Sequence, residues 1–140
     1  MLNEAEVRQA HQRGMRIAAH THGHAIMTTV SAEENRHHLA ENLRMIESIT
    51  GVKPSEFAYP NGRPGLDFTE AHRASIAVGG IKIAVTSERG ICTPISDPLL
   101  LPRYGPWGRN PLTFMARVLL TIGQATRHVG TPSDGASADA

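Results

Sequence analysis

Ile17-Ala18-Ala19-His20-Thr21-His22-Gly23-His24 is the stretch on which the reading of this chain turns. It begins apolar, as a short buried strand does, and breaks into three histidines within five residues. An apolar run that ends in a His-rich loop is how an α/β protein presents ligands at the end of a strand. Neutral imidazole is the commonest protein ligand for zinc and also suits nickel, copper and iron. If the strand continued, His20, His22 and His24 would share one face. If the chain turns after His20, the four-residue spacing brings His20 and His24 together, as on one helical turn. Gly23 permits that turn, and Thr21 can tie its hydroxyl to the loop backbone. The bland alternative is surface histidine, because His11, His37, His38, His72 and His128 show that the chain uses this residue freely.

Upstream, Asn3 and Glu6 have the spacing of a capping pair, which predicts a short helix from Glu4 to about Arg13, ended by Gly14. Met15 to Ala19 then reads as a strand with Ile17 and Ala19 on one face. Downstream, Ser31-x-x-Glu34 is a capping box, followed by Leu39, Leu43, Ile46 and Ile49 on one helical face. Gly51 closes that helix and Pro54 prevents its resumption. Phe57-Ala58-Tyr59-Pro60 reads as a second strand running into an Asn61-Gly62 turn and a Pro/Gly loop. Phe68 to about Val78 reads as a helix, with Ala71, Ala74 or Ser75, and Val78 turned inward. Gly79-Gly80 stops it. Ile81 to Val85 is a third strand, Leu99-Leu100-Leu101 a short fourth, and Leu112 to Thr126 a last helix carrying Met115, Val118, Leu119 and Ile122. The Gly, Pro, Ser, Asp and Ala of residues 130–140 predict a disordered tail, leaving one domain over 1–129.

With 140 residues the chain suits one domain. Its formal charge of +1 and the absence of a basic stripe with interleaved aromatics argue against nucleic acid. The single cysteine, Cys92, excludes an internal disulfide and a Cys-rich zinc site. No apolar run approaches the roughly 20 residues that span a bilayer. The polar, acidic start Met1-Leu2-Asn3-Glu4-Ala5-Glu6 is not a signal peptide, and the compartment stays open. Strands alternating with helices imply parallel βα units. Three or four strands are too few to close a barrel, which needs about eight, so the chain reads as part of a larger α/β domain.

Gly14 to His24, followed by the Ser31 box, the helix ending Ile49-Thr50-Gly51 and the Phe57 to Gly62 loop, resembles the polysaccharide deacetylase family, the NodB-homology domain of carbohydrate esterase family 4. The His20-Thr21-x-x-His24 segment is similar to that family's second motif. Phe57-Ala58-Tyr59-Pro60 resembles a variant of its third, and Leu101-Pro102-Arg103 a late segment of the same variant. The resemblance covers roughly residues 3 to 105.

It implies a distorted, TIM-like (β/α) barrel, here partial and with the first strands missing. It also implies metal-dependent removal of acetyl groups from N-acetylated glycans. By resemblance His20 and His24 are metal ligands, with Thr21 supporting their loop and His22 at a variable position. The metal implied is zinc, with cobalt, nickel or manganese as alternatives. Asn61 aligns with the residue whose backbone N–H meets the oxyanion, and Tyr59 and Pro60 line the substrate side. Three family features are missing. The Asp-Asp pair that supplies a metal ligand and the catalytic base is absent, and its strands would precede residue 1. Ala58 stands where the third motif carries the arginine that orients the base, and Arg103 is the candidate to take over that role. No late Leu-x-His motif supplies a general acid. The chain as given is therefore expected to be weak or inactive, and the implied partner is an acetylated glycan or oligosaccharide. Family members are often secreted or envelope-associated. The alternatives are a non-catalytic metal- or glycan-binding remnant of such a domain and, further off, an amidase acting on a small amide.

Overall fold

Helix starts written into the sequence organise the chain in the computed structural model, which describes residues 2–104 and 110–128. Helix α1 spans Glu4–Gln12, with Glu6 N–H donating to Asn3 Oδ1 at 2.9 Å and Asn3 N–H to Glu6 Oε2 at 2.7 Å. Helix α2 spans Ala32–Thr50 and closes the same reciprocal pair between Ser31 and Glu34. These hydrogen bonds, the Ser31 backbone N–H first, hold the Glu34 carboxyl below its ordinary value. Gly51 ends α2 in the left-handed region at φ 77°, and its N–H donates to Glu47 O at 2.8 Å. Leu39, Leu43 and Ile46 are buried as their spacing requires, with Asn35 on the same face, while Ile49 is half-buried.

The sheet is shorter than its sequence pattern suggests. Strand β1 spans Glu56–Ala58 and pairs in parallel with β2, Ile83–Val85. Ala19 adds a parallel bridge to Phe57 on one side, and Leu101 a parallel bridge to Val85 on the other. Of the expected strand Met15 to Ala19 only Ala19 joins the ladder, and of Leu99 to Leu101 only Leu101 does. The order Ala19, β1, β2, Leu101 is consecutive and parallel. This is the arrangement expected of part of a (β/α) barrel, and it puts the four carboxyl ends on one rim.

Helix α3 spans Glu70–Val78, and here the expected inward face is corrected. Val78 is 91% exposed and Ala71 and Ala74 are exposed, while Ile76 is fully buried. His72, Arg73 and Ser75 flank Ile76 and are half-buried, so the helix docks on a face of mixed polarity that apolar counting passes over. Phe57, Tyr59, Phe68, Met27 and Ala84 complete the core under the rim. Helix α4 spans Pro111–His128, with Met115, Leu119 and Ile122 all partly to largely exposed. No helix among the described residues is long and apolar enough to cross a membrane. The tail expected over 130–140 lies outside the described residues.

Candidate functional site

Ala19 is the last residue tied to β1, through Ala19 N–H to Glu56 O at 2.8 Å and Ala58 N–H to Ala19 O at 2.9 Å. The chain then leaves the ladder and turns. The 3₁₀ turn over His22–His24 folds the loop back, with Gly23 at φ 72° and His24 at φ 60°. Thr21 is buried and sits at φ 58°, ψ 157°, a region that β-branched residues avoid. Such a conformation costs about 1–3 kcal/mol and persists only where its surroundings over-determine it. Here its hydroxyl donates to Ala25 O at 3.2 Å and closes the loop on itself. The result brings the His20 and His24 rings together, with centroids 4.7 Å apart and planes at 76°. Two imidazoles sharing one tetrahedral metal at the usual Zn–N distance would place their centroids about 5 Å apart.

His20 is held at two atoms. Its Nδ1 lies 2.6 Å from Ala58 O. A carbonyl oxygen only accepts, so this contact puts the proton on Nδ1 and leaves the Nε2 lone pair free. Metal-ligating histidines are oriented by such a partner on the other ring nitrogen. Its backbone N–H donates to Asn42 Oδ1 at 2.8 Å. His22 is half-buried in the turn, and the nearby Glu41 carboxyl lies below its ordinary value chiefly through its hydrogen bond from Arg44.

The loop after β1 is built differently. Tyr59 is fully buried, stacked on Phe68 with centroids 3.6 Å apart, and its hydroxyl donates to Leu99 O at 3.1 Å. Burial pushes its pKa far up. Pro60 is also fully buried. The side chains of Tyr59 and Pro60, expected on the substrate side, are therefore core, and what they give the loop is rigidity. Asn61 follows at φ 58°, spanned by a hydrogen bond from Gly62 N–H to Pro60 O at 2.7 Å. That two-residue closure around a positive φ is a γ-turn, a strained form. The Asn61 N–H has no hydrogen-bond partner among the described residues, and Asn61 as a residue is exposed. Gly62, at φ 84°, has no substitute, since a Cβ there would lie 2.8 Å from Ser87 N.

Asp67 and Asp97 are occupied elsewhere. Asp67 is buried and accepts from Arg63 N–H at 2.9 Å, Nε at 2.9 Å and Nη2 at 3.1 Å. The Arg63 guanidinium hydrogen-bonded to it holds its carboxyl below the ordinary range. Asp97 pairs with Arg73 and accepts from Leu99 N–H. Among the described residues no group of three or more His, Cys, Asp or Glu side chains converges on one point. Arg103 stands on the same rim, after Leu101, with its Nε donating to Thr86 O at 2.5 Å and its N–H to Glu88 O at 2.8 Å. Its Nε thus serves the loop after β2 rather than a group beside His20.

Sequence reading missed Asn42. A signal existed: Asn35 and Asn42 are polar residues seven apart among the inward positions of α2, at Leu39, Leu43 and Ile46. A polar side chain on a core-facing row is there to meet something.

The family model described as polysaccharide deacetylase matches residues 2–79. Among solved structures, a deacetylase from Streptococcus pyogenes in complex with acetate is similar at TM-score 0.67 and 21% identity, over 74% of this chain and 44% of its own. A polysaccharide deacetylase from Bacillus cereus is similar at TM-score 0.68 and 19% identity, over 83% of this chain and 36% of its own. A family 4 carbohydrate esterase from Streptomyces lividans, in complex with acetate, reaches TM-score 0.53 and 19% identity, over 88% of this chain and 68% of its own. This chain spans less than half the length of the first two. No curated protein matches it.

Proposed function

The chain belongs to the polysaccharide deacetylase family, and from that premise we propose that His20 and His24 form the imidazole half of a metal-dependent site that hydrolyses the acetyl amide of N-acetylated glycans. The observation that carries this reading is the pair of rings 4.7 Å apart, one of them with its tautomer fixed by Ala58 O. The donor set fits a divalent metal, zinc before cobalt, nickel or manganese, because neutral imidazoles are borderline ligands. A metal held there would supply Lewis acidity toward the acetyl carbonyl and a lowered pKa for water.

The remaining roles fall to this chain's own groups. His20 Nδ1 keeps its proton on Ala58 O, so the ring presents Nε2 alone. The Asn61 N–H, in the γ-turn and without a partner among the described residues, is a donor for the developing oxyanion. A single preorganised donor of this kind is worth about 10²–10³-fold in turnover. The chain of residues 1–140 has no Asp-Asp pair, and its Asp67 and Asp97 are already engaged by arginines. Catalytic zinc sites ordinarily keep three protein ligands, and general base catalysis contributes about 10²–10⁴-fold. The 140-residue chain by itself therefore binds metal weakly and turns over little substrate. That same engagement of the carboxylates favours, as second reading, a remnant that binds metal or glycan without hydrolysing it.

Zinc titration of the wild type, His20→Ala and His24→Ala tests the site, and each substitution is expected to weaken binding at least tenfold. Equal affinity in all three ends the proposal. Acetate release from N-acetylated chito-oligosaccharides separates the two readings: slow release abolished by His20→Ala supports the enzyme, and none at any zinc concentration supports the remnant.

A further inference from the structure

We propose that Asn42 is a positioning residue for the His20 ligand, holding the main chain where the strand breaks into the histidine loop; this rests on the metal reading of His20 above. The contact joins residues 22 apart in sequence, His20 N–H to Asn42 Oδ1 at 2.8 Å, in a partly buried setting. It falls at the point where the ladder stops supplying partners. Ala19 still uses both backbone groups on β1, through Glu56 O and Ala58 N–H, whereas His20 N–H has no backbone acceptor among the described residues. One residue later Thr21 is forced to φ 58°. An amide left unpaired beside a strained turn is destabilising, and the turn can then relax.

The acceptor is mounted on a rigid support. Helix α2 is capped at both ends and anchored by the buried Leu39, Leu43 and Ile46, which bracket Asn42 on the same side. His20 is consequently fixed from two elements, its main chain by α2 and its imidazole by Ala58 O of β1. One contact sets where the Cα stands and the other sets how the ring is turned. With the main-chain contact removed, the ring can still turn toward Ala58 O, but its Nε2 is no longer registered against His24. The loss should therefore appear in metal affinity and in the freedom of one amide, with little change in the fold.

The experiment compares wild type, Asn42→Ala, Asn42→Asp and His20→Ala as full 140-residue chains. Three quantities are read: zinc affinity at a temperature well below melting, exchange of the His20 amide hydrogen in the metal-free chain, and Tm. Asn42→Ala is expected to speed exchange of the His20 amide at least tenfold and to weaken zinc about tenfold, the lower end for groups that orient a ligand. Asn42→Asp keeps an acceptor oxygen in the same place and should exchange as the wild type does, with zinc affinity at or above it. A purely structural role would lower Tm and leave affinity alone below the transition. If Asn42→Ala binds zinc and exchanges like the wild type while His20→Ala loses zinc, the metal site stands and this proposal falls. If Asn42→Asp weakens zinc as much as Asn42→Ala, the acceptor is not what matters and the proposal also falls. If His20→Ala binds zinc like the wild type, the metal reading fails and takes this proposal with it.

Discussion

The two loops that leave neighbouring strands at this rim, Thr21 to Ala25 and Tyr59 to Gly62, solve one problem with a different balance of polar contacts and packing. Both hold non-glycine residues near φ +60°, Thr21 and His24 in the first and Asn61 in the second. The first is held by polar contacts: Asn42 on the His20 amide, Ala58 O on the His20 ring, and the Thr21 hydroxyl on Ala25 O. The second adds dense packing to its hydrogen bonds at Pro60 O and Leu99 O: Tyr59 on Phe68, a buried Pro60, and Gly62 pressed against the backbone of Ser87. The difference follows from what each presents. A loop that offers ring nitrogens must orient side chains, which takes directional bonds. A loop that offers one backbone N–H needs only a fixed main chain, which dense packing supplies. Damage to the second loop should therefore register in stability, and damage to the first in ligand binding.

The largest effect expected is on the packed loop. Tyr59→Ala removes a fully buried ring stacked on Phe68 and edge-on to Phe57, and should cost about 3–5 kcal/mol. Tyr59→Phe keeps the ring and loses only the bond to Leu99 O, about 1 kcal/mol. Urea denaturation of the three proteins measures both. If Tyr59→Ala instead proved as stable as Tyr59→Phe, the packing account of this loop would be wrong.

A smaller effect, and a different readout, is expected of the polar loop. Thr21→Val keeps the buried shape and the β-branch but removes the hydroxyl that bonds Ala25 O. The stability loss should be about 1 kcal/mol, while zinc affinity falls several-fold because the turn that pairs His20 with His24 is loosened. The contrast with Tyr59→Phe, a similar loss of one hydroxyl, is the sharpest test of the comparison. Calorimetric zinc titration should separate two variants that denaturation cannot.

How much of this was legible beforehand depended on the range of the interaction. The helix starts at Asn3 and Ser31 were readable because each capping pair lies within three residues of itself. The His20–His24 pair was readable for the same reason, being set by four-residue spacing and Gly23. The strands were legible as apolar runs but not in extent, because residues such as Met15 find no ladder partner whatever their propensity. The face of α3 is legible only in part: of the expected inward residues Ala71, Ala74 or Ser75, and Val78, only Ser75 is half-buried beside Ile76, and the apolar Ala71, Ala74 and Val78 are exposed. The resemblance puts Tyr59 toward substrate, and its burial against Leu99 O, 40 residues away, is invisible to any local pattern. Asn42 went unseen because its bond to His20 exists only once α2 has docked beside the strand.

The smallest effect expected concerns His72, which caps the start of α3. Its Nδ1 accepts from Thr69 N–H at 3.0 Å and so caps the start of α3. Capping requires Nδ1 to carry a lone pair, and burial pushes the pKa of this histidine below its ordinary value of 6.5. In the folded chain His72 therefore takes up a proton at lower pH than in the unfolded chain. Its contribution to stability is fully present above about pH 6.5, declines as pH falls below that value, and is lost once pH has passed through the lowered folded value. His72→Gln retains a side-chain oxygen acceptor without titrating in this range. The drop in Tm between pH 8 and pH 5 should be smaller in His72→Gln than in the wild type, with the two proteins closest at the acid end. If the two pH profiles ran parallel, the cap would survive protonation and His72 would not couple α3 to pH.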